Sequence, residues 1–250
     1  MTFTTGFFLF LAAVVGGAMN SVAGGGSFVA FPALLFAGVP PIPANATNTI
    51  ALWPGAIASV VAYRRELGEV KRELLPLALA ALAGGLVGSV LLLRTRESTF
   101  VLLIPWLLLF ATVLFTFGGA VSRKLTHGAR APFAVVVIAQ LAISVYGGYF
   151  GGGMGIMMLA VLTLLGMTHI HRMNALKNAL GTLINGVAVV AFVIAGAVRW
   201  VPCVFMIVGG ITGGYSGAAI ARRVSPKYVR WVVIGVAWTM TAYFFAKTYR

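Results

Sequence analysis

The chain has 250 residues, 60% of them hydrophobic and 9% charged, with a mean hydropathy of +1.02. A water-soluble domain carries charge on about a quarter of its residues, so this composition excludes one and points to a bilayer. Lys and Arg number 18 against four Glu and no Asp, a net charge of +14. In a membrane chain such an excess is read by its position in loops and not as a nucleic-acid surface. The single cysteine, Cys203, leaves no disulfide framework, CxxC metal site or thiol pair.

A span needs about 20 apolar residues to cross roughly 30 Å of hydrocarbon. Such runs lie near 3–23, 44–63, 74–93 and 99–121, and again near 131–149, 175–196, 200–221 and 228–246. Met1–Ala18 has no basic n-region, the first cation being Arg64, so it reads as the first span and not as a signal peptide. Two shorter runs, Ser27–Gly38 and Met154–Met167, each follow a triple glycine. At 1.5 Å per residue they reach only ~18–21 Å, as re-entrant helices or as short tilted spans with protein-buried ends. The expected fold class is an all-α polytopic membrane protein with two inverted repeats, about eight full spans and two short glycine-broken helices.

Arg64, Arg65, Lys71 and Arg72 mark one loop as cytoplasmic. Counting crossings from that loop puts Arg123, Lys124, Arg130, Arg172, Arg222, Arg223, Lys227 and Arg230 inside as well. Arg94, Arg96, Arg199, Lys247 and Arg250 fall outside. Both termini are then expected to be extracytoplasmic, in a multi-pass protein of the cytoplasmic (inner) membrane.

Three patterns recur in order. Gly24-Gly25-Gly26 returns as Gly151-Gly152-Gly153, Asn45-Ala46 as Asn174-Ala175, and Gly84-Gly85-x-x-Gly88 as Gly213-Gly214-x-x-Gly217. The nearly constant offset of 127 to 129 positions implies duplication. It divides the chain into a first transmembrane repeat (1–121), a cytoplasmic linker (122–130) and a second transmembrane repeat (131–250). The charge map sends the first run of each half in opposite directions, which makes the repeat inverted. Transporters of that architecture place their site at the repeat interface, in interrupted helices.

The glycine breaks supply the candidate site. Gly24, Gly25, Gly26 and Ser27, and Gly151, Gly152 and Gly153, precede short helices whose first N–H groups have no intrahelical partner and suit an anion. Close helix packing is the competing reading of these glycines, and the favoured one for Gly84/Gly88 and Gly213/Gly217. Asn45, Thr47 and Asn48 open the next run, and Asn174, Lys177 and Asn178 open its counterpart. Lys177 stands about one turn inside an apolar run, where a cation is costly and faces a cavity or a partner, or snorkels to the interface. All four carboxylates, Glu66, Glu69, Glu73 and Glu97, lie in charged stretches between runs. An anionic substrate is therefore a fitting partner for Lys177.

Other chemistries fit less well. His169 and His171 sit at i and i+2 in a turn, without a nearby Cys, Asp or Glu, so no metal site is expected. Gly214-Tyr215-Ser216-Gly217 has the look of an intramembrane serine protease, yet all three histidines precede Ser216 and the glycines belong to the repeat. No enzyme activity, cofactor or nucleic-acid partner is expected. The expected partners are the lipid bilayer and a small anion, with a homo-oligomer left open.

The segment Asn20 to Pro32 (NSVAGGGSFVAFP), the triplet Ala46-Thr47-Asn48 and the segment Gly147 to Gly155 (GGYFGGGMG) resemble the TauE/SafE family across essentially the whole chain. One departure is that nothing in Met157–Leu162 matches Pro32. The resemblance implies a multi-pass permease for sulfite, sulfonates or related organosulfur anions. The resulting expectation is a secondary transporter exporting a small sulfur-containing or organic anion. The alternatives are a cation-coupled uptake permease and a non-transporting membrane scaffold.

Overall fold

The computed structural model describes residues 2–22, 25–125, 131–221 and 226–249. Among them are eleven helices: α1 (Phe3–Val22), α2 (Ser27–Phe36), α3 (Pro41–Ala62), α4 (Arg64–Glu69), α5 (Lys71–Arg94), α6 (Glu97–Leu125), α7 (Phe133–Tyr149), α8 (Met154–Leu164), α9 (Ile170–Ile194), α10 (Trp200–Ala221) and α11 (Pro226–Tyr249). The short helices α2 and α8 end alike. Gly38 (φ +80) and Gly166 (φ +85) turn the chain left-handed, and the next N–H closes back on the helix, Val39 to Leu34 O and Met167 to Leu162 O. This glycine-terminated hairpin of hydrogen bonds is what stops both helices after about three turns.

The bundle is apolar outside and polar inside. Leu79, Leu86, Leu102, Phe110, Phe117 and Ile138 are exposed, while Asn45, Thr47, Asn48, Ser89, Thr112, Gln140 and Ser144 are buried. Water would not tolerate so extensive an apolar surface, whereas a bilayer requires it. The chain is a multi-pass membrane protein.

The expectation of about eight full spans is corrected. Among the described residues, four helices are long and apolar enough to cross: Phe3–Asn20, Glu73–Arg94, Glu97–Gly118 and Ile170–Ile194. The physical reason lies in the remaining runs. α7 is cut at 17 residues by the second glycine break. In α3 the polar cluster Asn45, Thr47, Asn48 and Thr49 and the helix-internal Pro54 interrupt the apolar run. In α11 the cations Arg230 and Lys247 bracket the apolar segment.

Helices are exchanged between the two halves of the chain. The first helix of each half packs on a glycine-bearing helix of the other: α1 on α10, and α7 on α5. These contacts are backbone to backbone. A Cβ at Gly84 would lie 2.7 Å from the Leu141 carbonyl oxygen and 2.6 Å from the Ser144 Cβ, and one at Gly213 would run into the Val14 carbonyl. Small residues allow this approach. Residues 129 positions apart also meet directly at two places: the Thr112 and Thr241 hydroxyls are 3.0 Å apart, and the Trp53 indole N–H donates to the Thr182 carbonyl at 3.1 Å.

Gly84→Ala should therefore destabilise the purified protein by about 1–3 kcal/mol through overpacking. Gly235→Ala, whose added Cβ meets nothing within 4 Å, should leave the melting temperature unchanged. Thermal unfolding in detergent compares the two.

Candidate functional site

Each glycine break is tied to α3 by a side-chain amide. Asn48 Nδ2 donates to Ser27 Oγ at the start of α2, at 3.2 Å. One turn earlier, Asn45 Nδ2 donates to the Tyr149 carbonyl at the end of α7, at 3.0 Å. The second break is further fixed by the Tyr146 hydroxyl, which donates to the Gly152 carbonyl at 2.6 Å. Gly25 (φ +89), Gly151 (φ +81) and Gly153 (φ +76) take the left-handed backbone that these turns need.

Between the breaks lies a cavity of about 200 Å³. Gly25, Ser27, Asn48, Gly151, Gly152, Gly153, Lys177 and Asn178 all line it. Asn48 and Lys177 stand 129 positions apart, as do Thr49 and Asn178, so equivalent places on α3 and α9 face the same space. Lys177 is half-buried and is, among the described residues, the only charged one in the lining. Among the described residues it has neither a hydrogen bond nor an ion pair. Nor does the Asn48 amide oxygen or the Thr182 hydroxyl find a partner, although both are buried. Buried polar atoms are normally paired, so these groups mark a place for a polar ligand or water. Ser27 and Phe28 at the start of α2 and Met154 and Gly155 at the start of α8 line the same cavity, with the Phe28 and Met154 N–H groups donating to the Gly25 and Gly151 carbonyls.

Other expected site residues lie elsewhere. Gly26 is buried against the Gly16 backbone, where an added Cβ would collide with the carbonyl oxygen. Asn45 is occupied at Tyr149, and its amide oxygen is buried without a partner. Thr47 accepts the Arg199 backbone N–H at 3.1 Å and so braces the start of α10. Asn174 is half-buried and outside the lining. Gly24 falls outside the described residues, as do His127, Arg130, Arg222 and Arg223. His169 and His171 are exposed at the start of α9, where Arg172 pairs with Glu69 at 2.7 Å. Among the described residues no three His, Cys, Asp or Glu side chains come together as a metal site.

Thr182, Asn185 and Phe115 are among the lining residues that escaped the reading of the sequence. Thr182 and Asn185 continue the face begun by Asn178 at spacings of four and three, a helical period that could have revealed them. Phe115 enters from α6, a helix with no local signal of a site.

Near the α3 start the Glu97 carboxylate accepts the Ile42 N–H at 2.9 Å, and the Tyr149 and Thr95 hydroxyls are 3.3 Å apart. The positions 129 residues on from Glu97 and Thr47 are Pro226 and Leu176, whose side chains cannot make such bonds. At the opposite end Ser59, Met158 and Leu159 line the cavity, which extends toward the end of α3 and the beginning of α9.

Comparison with known proteins accords with this arrangement. Residues 9–244 match the family described as "Sulfite exporter TauE/SafE". The chain is 29% identical over 231 residues to a "Probable membrane transporter protein ORF9" of Sinorhizobium sp, covering 92% of this chain and 88% of that protein. A "Probable membrane transporter protein" of Haemophilus influenzae is 27% identical over 239 residues, covering 94% of this chain and 92% of its own length. The "Probable membrane transporter protein YfcA" of Escherichia coli is 28% identical over 246 residues, with 94% and 87% covered. No solved structure matches the chain. The apolar exterior, the polar interior, the cavity between two broken helices and the match over nearly the whole length together show that the chain belongs to the TauE/SafE family and is a polytopic membrane transporter, not an enzyme.

Proposed function

We propose that the protein exports a small sulfur-containing or organic anion, such as sulfite or a sulfonate, across the cytoplasmic membrane. The observation that carries this reading is Lys177, among the described residues the one charged residue lining the cavity, unpaired there, with no carboxylate beside it. Helix starts on two sides add positive dipole ends, and Ser27, Asn48 and Asn178 add neutral polar groups. Inside-negative membrane potential drives a monovalent anion outward by ~2.3 kcal/mol per 100 mV, so no acidic relay is needed. The residues named are the ones we assign to substrate, with Asn45 and Thr47 holding the frame around them.

The chain is read as two repeats, 1–121 and 131–250, joined by the linker 122–130, with both termini outside the cell. The positive loop with Arg64 and Arg65 then places the extended end of the cavity toward the cytoplasm, and the end held by Glu97, Thr47 and Tyr149 toward the exterior. Export requires those cross-links to part in the alternate state. A cation-coupled uptake reading draws on the unpartnered amide oxygens of Asn45 and Asn48, which suit a hard cation. Binding that requires sodium and ignores the anion would favour it.

Lys177→Ala should weaken anion binding at least tenfold, the scale of a hydrogen bond to a charged group, while the protein still folds. Titration calorimetry with sulfite and a sulfonate measures this, and unchanged binding would remove Lys177 from the site. Gly153→Ala should lower thermal stability by about 1–2 kcal/mol because its backbone is left-handed. Gly155→Ala, whose Cβ would make an ordinary 3.4 Å contact with the Lys177 Cδ, should fold as well as the parent.

A further inference from the structure

We infer that Tyr146 is a positioning residue for the anion site: by holding the Gly152 carbonyl it aims the backbone N–H of the second glycine break into the cavity. This rests on the anion reading above and adds to it a residue from outside the lining.

The Tyr146 hydroxyl donates to the Gly152 carbonyl at 2.6 Å. Gly151, Gly152, Gly153 and Gly155 line the cavity, and Tyr146 does not. The oxygen of that peptide unit is therefore held on the side away from the cavity. A trans peptide is planar, and its N–H points opposite to its C=O. Fixing the Gly152 oxygen on Tyr146 thus turns the Gly153 N–H the other way, toward the ligand.

The neighbouring carbonyls are occupied as well. Asn45 Nδ2 holds that of Tyr149, while those of Gly151 and Gly153 accept the Met154 and Ile156 N–H groups. The N–H groups of Gly152, Gly153 and Gly155, by contrast, meet no acceptor among the described residues. Successive free N–H groups in a turn form a concavity that suits an anion. Lys177 stands beside it, since a Cβ on Gly155 would lie 3.4 Å from the Lys177 Cδ.

Nothing in the local chain enforces this orientation. The peptide joining Gly152 to Gly153 lies between two glycines, whose backbone freedom lets its plane rotate. A half turn would replace the N–H by a carbonyl oxygen, which repels a negative ligand. Tyr146 opposes that rotation from a fixed place, its ring packed edge-on against Phe110 at 5.3 Å and Phe150 at 6.4 Å. In the first half the matching positions, 127 to 129 residues earlier, are Met19, Ala18 and Gly17, none with a hydroxyl. This strut belongs to the half that carries Lys177.

Tyr146→Phe keeps the ring and removes only the hydroxyl. Titration of the detergent-purified full chain with sodium methanesulfonate should give a dissociation constant about tenfold weaker than the parent's, the scale of one hydrogen bond to a charged group. Tyr249→Phe, which removes an exposed hydroxyl donating to the Leu102 carbonyl at 2.9 Å, should bind as the parent does. Hydrogen–deuterium exchange supplies a readout that a merely structural role would not move. In the parent, methanesulfonate should slow exchange over residues 150–156, and in Tyr146→Phe a saturating concentration should not. Equal binding by Tyr146→Phe, or binding by the parent without protection of 150–156, would overturn the inference and leave Lys177 as the anion's partner. Exchange in the parent decides alone should the variant fail to fold. If the parent binds neither methanesulfonate nor sulfite, or Lys177→Ala binds them as tightly, the anion site falls and this inference with it.

Discussion

In hydrocarbon a broken helix has no water to satisfy its freed backbone, so the protein itself must do so. Here α3 meets that requirement at the second break and anchors the first through a side chain. Its two amides, Asn45 and Asn48, lie one turn apart and reach the carbonyl of Tyr149 in one half and the hydroxyl of Ser27 in the other. The breaks are thereby held at a fixed separation, and the cavity is the space between them. The glycine contacts of α5 and α10 complete the frame, since they bring α7 and α1 close enough to deliver the ends of those helices to α3.

Residues 129 positions apart offer the cavity different groups. At equivalent places on α3 and α9 stand a neutral amide, Asn48, and an ammonium group, Lys177. The first is engaged in holding Ser27, and the second is the one we assign to the substrate. A similar contrast separates the ends of the cavity. Glu97, Thr47 and Arg199 make cross-links at one end, while Pro226 and Leu176 at the related positions cannot make them at the other.

Much of this was legible in the chain because glycine and lysine are conspicuous inside apolar runs. The triple glycines, the polar clusters after them and Lys177 all stand out, and most converge on the cavity. Asn45, Thr47 and Asn174 look the same as Asn48 and Asn178 in sequence, since a polar residue at the start of a span does not disclose which way its side chain turns. Asn45 and Thr47 proved to be braces with backbone partners more than 100 residues away. Phe115 was hidden because an aromatic residue in an apolar helix has no distinguishing neighbour. The number of spans was misjudged for a related reason: run length alone does not register that α3 is interrupted by buried polar groups and that α7 is cut short by its break.

The most direct measurement is charge movement in proteoliposomes adsorbed on a capacitive electrode, started by adding a monovalent sulfonate. Transport of the anion alone predicts a transient of negative charge entering the vesicles, saturating with sulfonate concentration and independent of sodium. A positive transient that requires sodium, or no transient in vesicles whose protein is folded and correctly inserted, would contradict the account.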